Sequence, residues 1–209
     1  MARPTPKGQR AREQILDAAQ SLFARGGFYG TSVRDVAGEL GIPTASLLHH
    51  FPRKERLYGE VLGRIAVDLG AALDKILRAG DQASPDEYAE RLRTLVRRFW
   101  RWASSNPDHC RLLLREVLDN EPRIGEAKHL VLAPVLEQFS GFIRAGQTAG
   151  AFRDIDPLMF VIHLTGSTSY FVTVLPTLQR LAGRSATALT RDYRRDLVAM
   201  IERVVLVDG

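Results

Sequence analysis

The sequence predicts an all-α protein of about nine helices. Three observations lead there. Apolar residues recur at intervals of three and four almost throughout the chain. Caps and prolines stand where helices would have to start, and glycines where they would have to stop. The 209 residues are 45% hydrophobic and 25% charged, enough to bury a full core and ordinary for a soluble globular protein, which argues against wholesale disorder, collagen-like repeats and a multi-span membrane protein.

The first segment sets Ile15, Leu16, Ala19, Leu22 and Phe23 on one stripe and ends at Gly26 and Gly27, which tolerate left-handed dihedrals. A short second helix is capped by Thr31 or Ser32, buries Val33, Val36, Ala37 and Leu40, and stops at Gly41. A third runs from about Thr44 to His50, and Pro52 closes it by pushing Phe51 out of helical dihedrals. A longer helix extends from Lys54 to Gly80, with Leu57, Tyr58, Val61, Leu62, Ile65, Ala66, Leu69 and Leu73 along one side. Ser84, Pro85 and Glu87 supply an N-cap, a first-turn proline and a capping-box carboxylate for a helix to about Ser105. Asn106 and Pro107 open the next, which carries Leu112, Leu113, Leu114, Val117 and Leu118. An amphipathic stretch then runs from about Gly125 through Phe139, Phe142 and Ile143 to Thr148. Asp156 and Pro157 repeat the cap-plus-proline signature. The last helix, about Ala188 to Leu206, alternates Arg191, Arg194 and Arg195 with a seam of Tyr193, Leu197, Met200, Ile201 and Val204.

Leu158 to Gln179 contains no Asp, Glu, Lys or Arg, and its length suffices to cross a bilayer. Its centre from Thr165 to Ser169 is small and polar, Pro176 is expected to interrupt its far end, and it has neither a second span nor a basic flank. The segment therefore reads as a helix buried partly by its own domain and partly by a second copy of the chain, with no membrane partner.

A single cysteine, Cys110, excludes an internal disulfide and any multi-cysteine zinc site, and favours a cytosolic address. The first residues hold no apolar run, so no cleaved secretory leader is expected. Of the net charge of +5, +4 comes from Arg3, Lys7, Arg10 and Arg12 in a Pro-containing stretch with no acid, which reads as a flexible basic arm. Such an arm is either a solvated tail or a nucleic-acid contact.

The helices at 32–40 and 44–50, joined by Gly41, Ile42 and Pro43, have the proportions of a helix-turn-helix. Val36, Ala37 and Leu40 would meet Ile42 and Leu47, with Ala37 as the small residue that crossing requires. By spacing alone an ordinary helical corner fits equally well. The stretch from Ala18 to Ile42, AAQSLFARGGFYGTSVRDVAGELGI, followed by Leu47 to Leu57, LLHHFPRKERL, resembles the N-terminal DNA-binding domain of the TetR family of bacterial transcription regulators. The glycine-ended first helix, the Thr/Ser-Val-Arg start, the Ala-x-x-Leu-Gly turn, the His-Phe ending and the Lys-Glu helix start occur in the family's order.

The resemblance implies a basic arm and helix-turn-helix domain over 1–55 and a helical ligand-binding and dimerisation domain over 56–209. It implies that Arg34 reaches a base or phosphate from the second helix, that Thr31 and Ser32 lie where free amides favour phosphate, and that Thr44, Ala45, Ser46 and His49 lie on the recognition helix. His50 and Lys54 correspond to backbone contacts. The pattern departs from the family in two places. Ala45 and Leu48 stand where a glycine and a phosphate-bonding tyrosine are usual, and Leu48 has no donor to offer. No Lys or Arg lies between Ile42 and His50, so no bidentate arginine–guanine contact comes from this helix, and base reading falls to Arg34, Thr44, His49 and apolar contact with thymine methyls.

Beyond residue 58 the likeness is in helix number only. It implies a bundle with a cavity for a small apolar or aromatic effector and a homodimer formed by the last two helices. Phe99, Trp100, Trp102, Leu113, Phe139, Phe142, His163, Ser167 and Tyr170 are the candidate ligand residues, aromatics with a few polar groups on core-facing helices. The sequence lacks G-x-S-x-G, G-x-x-x-x-G-K-[ST], H-E-x-x-H and G-x-G-x-x-G, and His49, His50, His109, His129 and His163 are scattered, so no enzyme, metal or cofactor is expected. The reading is a transcriptional repressor released from a palindromic operator by an effector. Two alternatives stay open: an effector-independent DNA-binding dimer, and a small-molecule carrier or enzyme with a vestigial helix-turn-helix.

Overall fold

Helix punctuation in the computed structural model, which describes residues 6–78, 83–119 and 133–207, follows the local chemistry closely. Among the described residues there are nine helices: α1 (Pro6–Gly26), α2 (Val33–Glu39), α3 (Thr44–His50), α4 (Lys54–Leu77), α5 (Pro85–Ser105), α6 (Pro107–Asp119), α7 (Ala133–Thr148), α8 (Pro157–Ala182) and α9 (Ala186–Val205). The only sheet-like pairing among them is an isolated antiparallel bridge between Phe152 and Leu206. Arg3, Gly80 and the start near Gly125 lie outside the described residues.

The chain divides into two units, residues 1–66 with 111–131 and residues 67–110 with 132–209, so that α4 and α6 each contribute to both. In the first unit the core forms around Phe23, whose ring meets Tyr58 edge-on at 5.0 Å and Phe28 at 6.5 Å. Ile15, Leu16, Val36, Ala37, Leu47, Phe51 and Leu57 complete it. The Tyr58 hydroxyl donates to the Glu116 carboxylate at 2.8 Å, and Arg115 Nη2 donates to the Arg25 carbonyl at 2.9 Å, which docks the second half of α6 on α4 and on the end of α1.

The expected flexible arm is corrected here, because α1 begins at Pro6 and takes Lys7, Arg10 and Arg12 into the helix. A proline is tolerated in the first turn, and the residues after it are mostly good helix formers. Arg12 also has partners: it pairs with Glu60 and its guanidinium lies 5.0 Å from the centre of the Phe51 ring.

Of the two residues offered as the α2 cap, Ser32 is the one used. Its hydroxyl accepts from the Asp35 amide at 3.2 Å and its own amide donates to the Asp35 carboxylate at 2.7 Å, a complete capping box. These bonds, the backbone one first, hold the Asp35 carboxyl below its ordinary range. The cap therefore contributes fully above the carboxyl's unfolded pKa and is lost as pH falls through the lower folded value. Ser32→Ala is expected to cost about 1 kcal/mol of stability, read as a shift of the urea midpoint. A variant that unfolds where the native chain does would show the cap to be idle.

At the other end of α2 the Ile42 amide donates to Ala37 O at 3.0 Å and the Gly41 amide to Gly38 O at 3.1 Å. This is a Schellman turn, and its left-handed residue is Gly41 at φ +63°.

In the second unit α5 opens on a further capping box, with the Ser84 amide 2.6 Å from Glu87 Oε2. Tyr88, Leu92, Leu95, Val96 and Phe99 face inward from it, against Phe139, Phe142 and Ile143 of α7 and Phe160, Leu164 and Phe171 of α8. Gly146 is obligatory: a Cβ there would stand 2.2 Å from the ring of buried Phe152. Pro176 does not interrupt α8, which runs on to Ala182 and closes at Gly183 with φ +62°. The proline leaves only the Val172 carbonyl without its amide. The small polar centre of α8 answers itself, with the Thr165 hydroxyl donating to Val161 O at 2.7 Å and that of Thr173 to Ser169 O at 2.9 Å.

One side of α8 is buried in the unit, while Leu158, Met159, Ile162 and Tyr170 on the other are 46–61% exposed. On α9, Leu197, Ile201 and Val205 are buried while Met200 and Val204 are exposed.

Candidate nucleic-acid interface

Helix α3 is held by one fully buried side chain, Leu47, and turns Ala45, Ser46, Leu48 and His49 to solvent. Thr44 and His50 are half-buried, and the rings of His49 and His50 lie 5.6 Å apart. Thr44 is the first helical residue and not the cap, because Pro43 occupies that position and no side chain caps the helix. Arg34 projects from α2 into solvent. Ser32 is exposed too, but its hydroxyl and amide belong to the capping box, which leaves the first-turn amides of Val33 and Arg34 outside it. Thr31 is buried, with its hydroxyl donating to Leu22 O at 3.2 Å.

Lys54 has a role that its position at a helix start does not suggest. Its ammonium donates to Phe28 O at 2.9 Å and Thr31 O at 3.2 Å, and lies 4.2 Å from the centre of the Phe28 ring. It pins the α1–α2 loop, using two of its three protons.

Two clefts among the described residues each take in one of the nine candidate ligand residues, Phe142 and His163. Phe99 packs on Trp102 at 6.1 Å and on Phe139 at 6.4 Å, and the Trp102 indole donates to the Asp68 carboxylate at 2.6 Å. Trp100 packs on Phe171 at 5.8 Å and Tyr193 at 5.2 Å. Phe142 lines a cleft of about 270 Å³ between α4, α5 and α7. His163 lines another of about 380 Å³ between α8 and α9. Ser167 is half-buried with its hydroxyl bonded to His163 O, Tyr170 is 61% exposed, and Leu113 falls in the first unit. Among the described residues no group of three His, Cys, Asp or Glu side chains is placed to hold a metal.

Comparison with known proteins supplies the identity. The family model described as bacterial regulatory proteins, tetR family, matches residues 15–61. The one described as tetracyclin repressor-like, C-terminal domain, matches residues 89–204, more than half of the chain. The chain belongs to the TetR family. The HTH-type transcriptional regulator RutR of Escherichia coli (strain K12) is 28% identical to this TetR-family protein over 197 residues, 93% of this chain and 88% of RutR. The structure of the ketosteroid transcriptional regulator KstR2 of Mycobacterium tuberculosis shares its fold at a TM-score of 0.67 and 23% identity, over 95% of this chain and 96% of that one. A regulator structure from Saccharomonospora viridis in complex with choline matches at a TM-score of 0.63 and 25% identity, over 96% and 100% of the two chains.

As a TetR-family member the protein is a DNA-binding transcriptional regulator, and α2 and α3 are its helix-turn-helix. Tyr29, which the sequence did not single out, is 66% exposed in the α1–α2 loop beside the Lys54 anchor. An aromatic just after the Gly26–Gly27 helix end was the one available signal for Tyr29. The acceptors of Lys54 are backbone groups and leave no signal in side-chain types.

Proposed function

We propose that this TetR-family regulator is a homodimeric repressor that acts in the cytoplasm, reads a palindromic operator with its two N-terminal units, and is released by a small-molecule effector. One observation carries the reading: the apolar stripe of Leu158, Met159, Ile162, Met200 and Val204, which α8 and α9 present to solvent. A patch of this composition on adjacent helices marks an interaction surface. Pairing it with itself about a two-fold axis builds a four-helix interface and gives the assembly two reading heads.

On each head Thr44, Ala45, Ser46 and His49 meet base edges with Arg34 beside them, and the amides of Val33 and Arg34 that follow the Ser32 cap, with Thr31 behind them, His50 and the third proton of Lys54 face phosphates. The S. viridis structure with choline supports a small-molecule site in this fold. An effector need only favour a head separation that no longer matches two half-sites one helical turn apart, and a coupling of a few kcal/mol suffices. Helix α4 belongs in part to both units and is the element suited to carry it.

The test is selection of preferred sites from random duplex DNA, followed by a salt titration on the winner. A palindrome with steeply salt-dependent binding is expected, and a folded protein that enriches no site overturns the reading. Arg34→Ala is expected to weaken binding by about 1–3 kcal/mol per half-site. If Arg34 sits on phosphate, the salt slope falls by about 1 per half-site; if it sits on a base, preference at that position relaxes instead.

A further inference from the structure

We propose that Arg12 is a positioning residue for operator reading: clasped by Glu60 of α4, its guanidinium lies against Phe51 and fixes the end of α3 that carries His49 and His50. The proposal rests on the reading of α3 as the helix that meets base edges, and it names a residue that governs the placement of that helix without touching DNA.

A seven-residue helix is marginal at best on its own in water and takes its position from what holds it. Helix α3 buries Leu47 alone, and no side chain caps its start at Pro43. Its first end is set by the turn from α2, where the Ile42 amide donates to Ala37 O. Its last end is set at Phe51, which has no exposed surface, donates its amide to Leu47 O at 2.9 Å and leaves helical dihedrals at φ −133° and ψ 89°. What holds the Phe51 ring therefore helps to set where the last turn of α3 stands.

Arg12 is such a group. Its Cζ lies 5.0 Å from the centre of the Phe51 ring, a distance at which a guanidinium is attracted to a ring face. It reaches there from α1 and is paired with Glu60, which also receives Arg56 Nε at 3.4 Å. The side chains of Arg12 and Glu60 are 37% and 28% exposed, so the pair is partly shielded from salt. Helix α1, the end of α3 and α4 thus meet at one guanidinium. One turn further along α4, Arg64 makes a second tie to α1, donating to Asp17 Oδ1 at 2.7 Å and lying 3.7 Å from Glu13. That tie joins the same two helices through residues of α1 and α4 alone, which makes it an internal control.

Charge separates positioning from phosphate contact. The Arg12 cation is already answered by Glu60, so it adds little to the field that holds phosphates. Loss of Glu60 raises the net charge of the first unit by one, and on charge alone that tightens DNA binding. If Arg12 positions α3, the same loss weakens operator binding, because it releases the guanidinium from Phe51. The two effects differ in sign.

The test uses the full chain with Arg12→Met, Glu60→Ala and Asp17→Asn, the last a charge-matched change on the Arg64 tie. Fluorescence anisotropy reads binding to the selected operator and to random duplex over a series of salt concentrations. The imidazole NMR signals of His49 and His50 report on the end of α3 without DNA. Arg12→Met and Glu60→Ala are each expected to weaken operator binding roughly tenfold or more, the effect of one lost base contact, with the salt slope unchanged. Glu60→Ala does so while random-duplex binding holds or tightens. Both variants are expected to shift the two imidazole signals in the free chain, and Asp17→Asn to leave them and operator binding as they are in the native chain.

The proposal is overturned if Glu60→Ala tightens operator binding, if Arg12→Met lowers the salt slope by about 1 per half-site as a phosphate contact would, or if Asp17→Asn acts as Glu60→Ala does. Imidazole signals that keep their native positions in both Arg12→Met and Glu60→Ala overturn it as well, whether or not an operator has been found. Shifted imidazoles in a chain that selects no operator keep the hold of Arg12 on α3 and remove the operator reading instead. Should Arg12→Met fail to fold, Glu60→Ala decides alone by the sign of its effect.

Discussion

Ile162→Glu combined with Val204→Glu is expected to leave a monomer that binds the palindromic site about 10²- to 10⁴-fold more weakly than the native chain, the range that linking two binding modules supplies. Ile162 is 49% and Val204 55% exposed, so neither carboxylate enters the core of its own unit and each chain keeps its fold. Across a two-fold axis the same substitutions bring four carboxylates into a surface that must lose water, at a cost that no cation on that stripe offsets. Sedimentation equilibrium and fluorescence anisotropy on the selected operator read the two effects. A double variant that sediments as a dimer and binds with native affinity would show that α8 and α9 do not make the interface.

Phe23→Ala is expected to destabilise the chain by about 3–5 kcal/mol, the usual cost of deleting a buried aromatic. Phe23 is fully buried, and its ring touches the two aromatics that organise the first unit, Phe28 and Tyr58. Removing it leaves a hole under the loop that Thr31 and Lys54 tie down, and under Tyr58, whose hydroxyl holds Glu116. Urea unfolding measures the loss, and a midpoint within experimental error of the native one would mean that α1 and α4 close over the gap.

Helix starts were legible in the sequence because their chemistry is local. A serine three residues before a carboxylate, as at Ser84 and Glu87, or an aspartate before a proline, as at Asp156 and Pro157, encodes its own hydrogen bonds. The choice between Thr31 and Ser32 needed only Asp35, three residues after Ser32. Features that depend on distant groups were not legible. The cations of the first twelve residues read as an arm because Glu60 and Phe51, which receive Arg12, lie some forty residues further on. Lys54 read as a phosphate contact because the carbonyls of Phe28 and Thr31 are 26 and 23 positions away and belong to no side chain. Periodicity pointed Phe99, Trp100, Trp102 and Phe139 inward, but it does not distinguish a ring that lines a cavity from a ring that fills one. Pro176 shows the limit of a single-residue signal, since one missing amide does not end a helix.

The α3 helix carries no Lys or Arg, and this separates two properties that many regulators mix in one surface. Sequence-independent grip on DNA comes almost wholly from fixed cations at phosphates. In this chain the exposed cations of the helix-turn-helix lie off α3, Arg34 on α2 among them, while Ala45, Ser46, Leu48 and His49 face outward from α3. On the proposed reading, changes at Ala45, Ser46 or His49 alter which site is chosen and leave the charge that holds phosphates untouched. A regulator divided in this way can acquire a new operator through substitutions on one seven-residue helix without also becoming stickier or slower in its search of the genome.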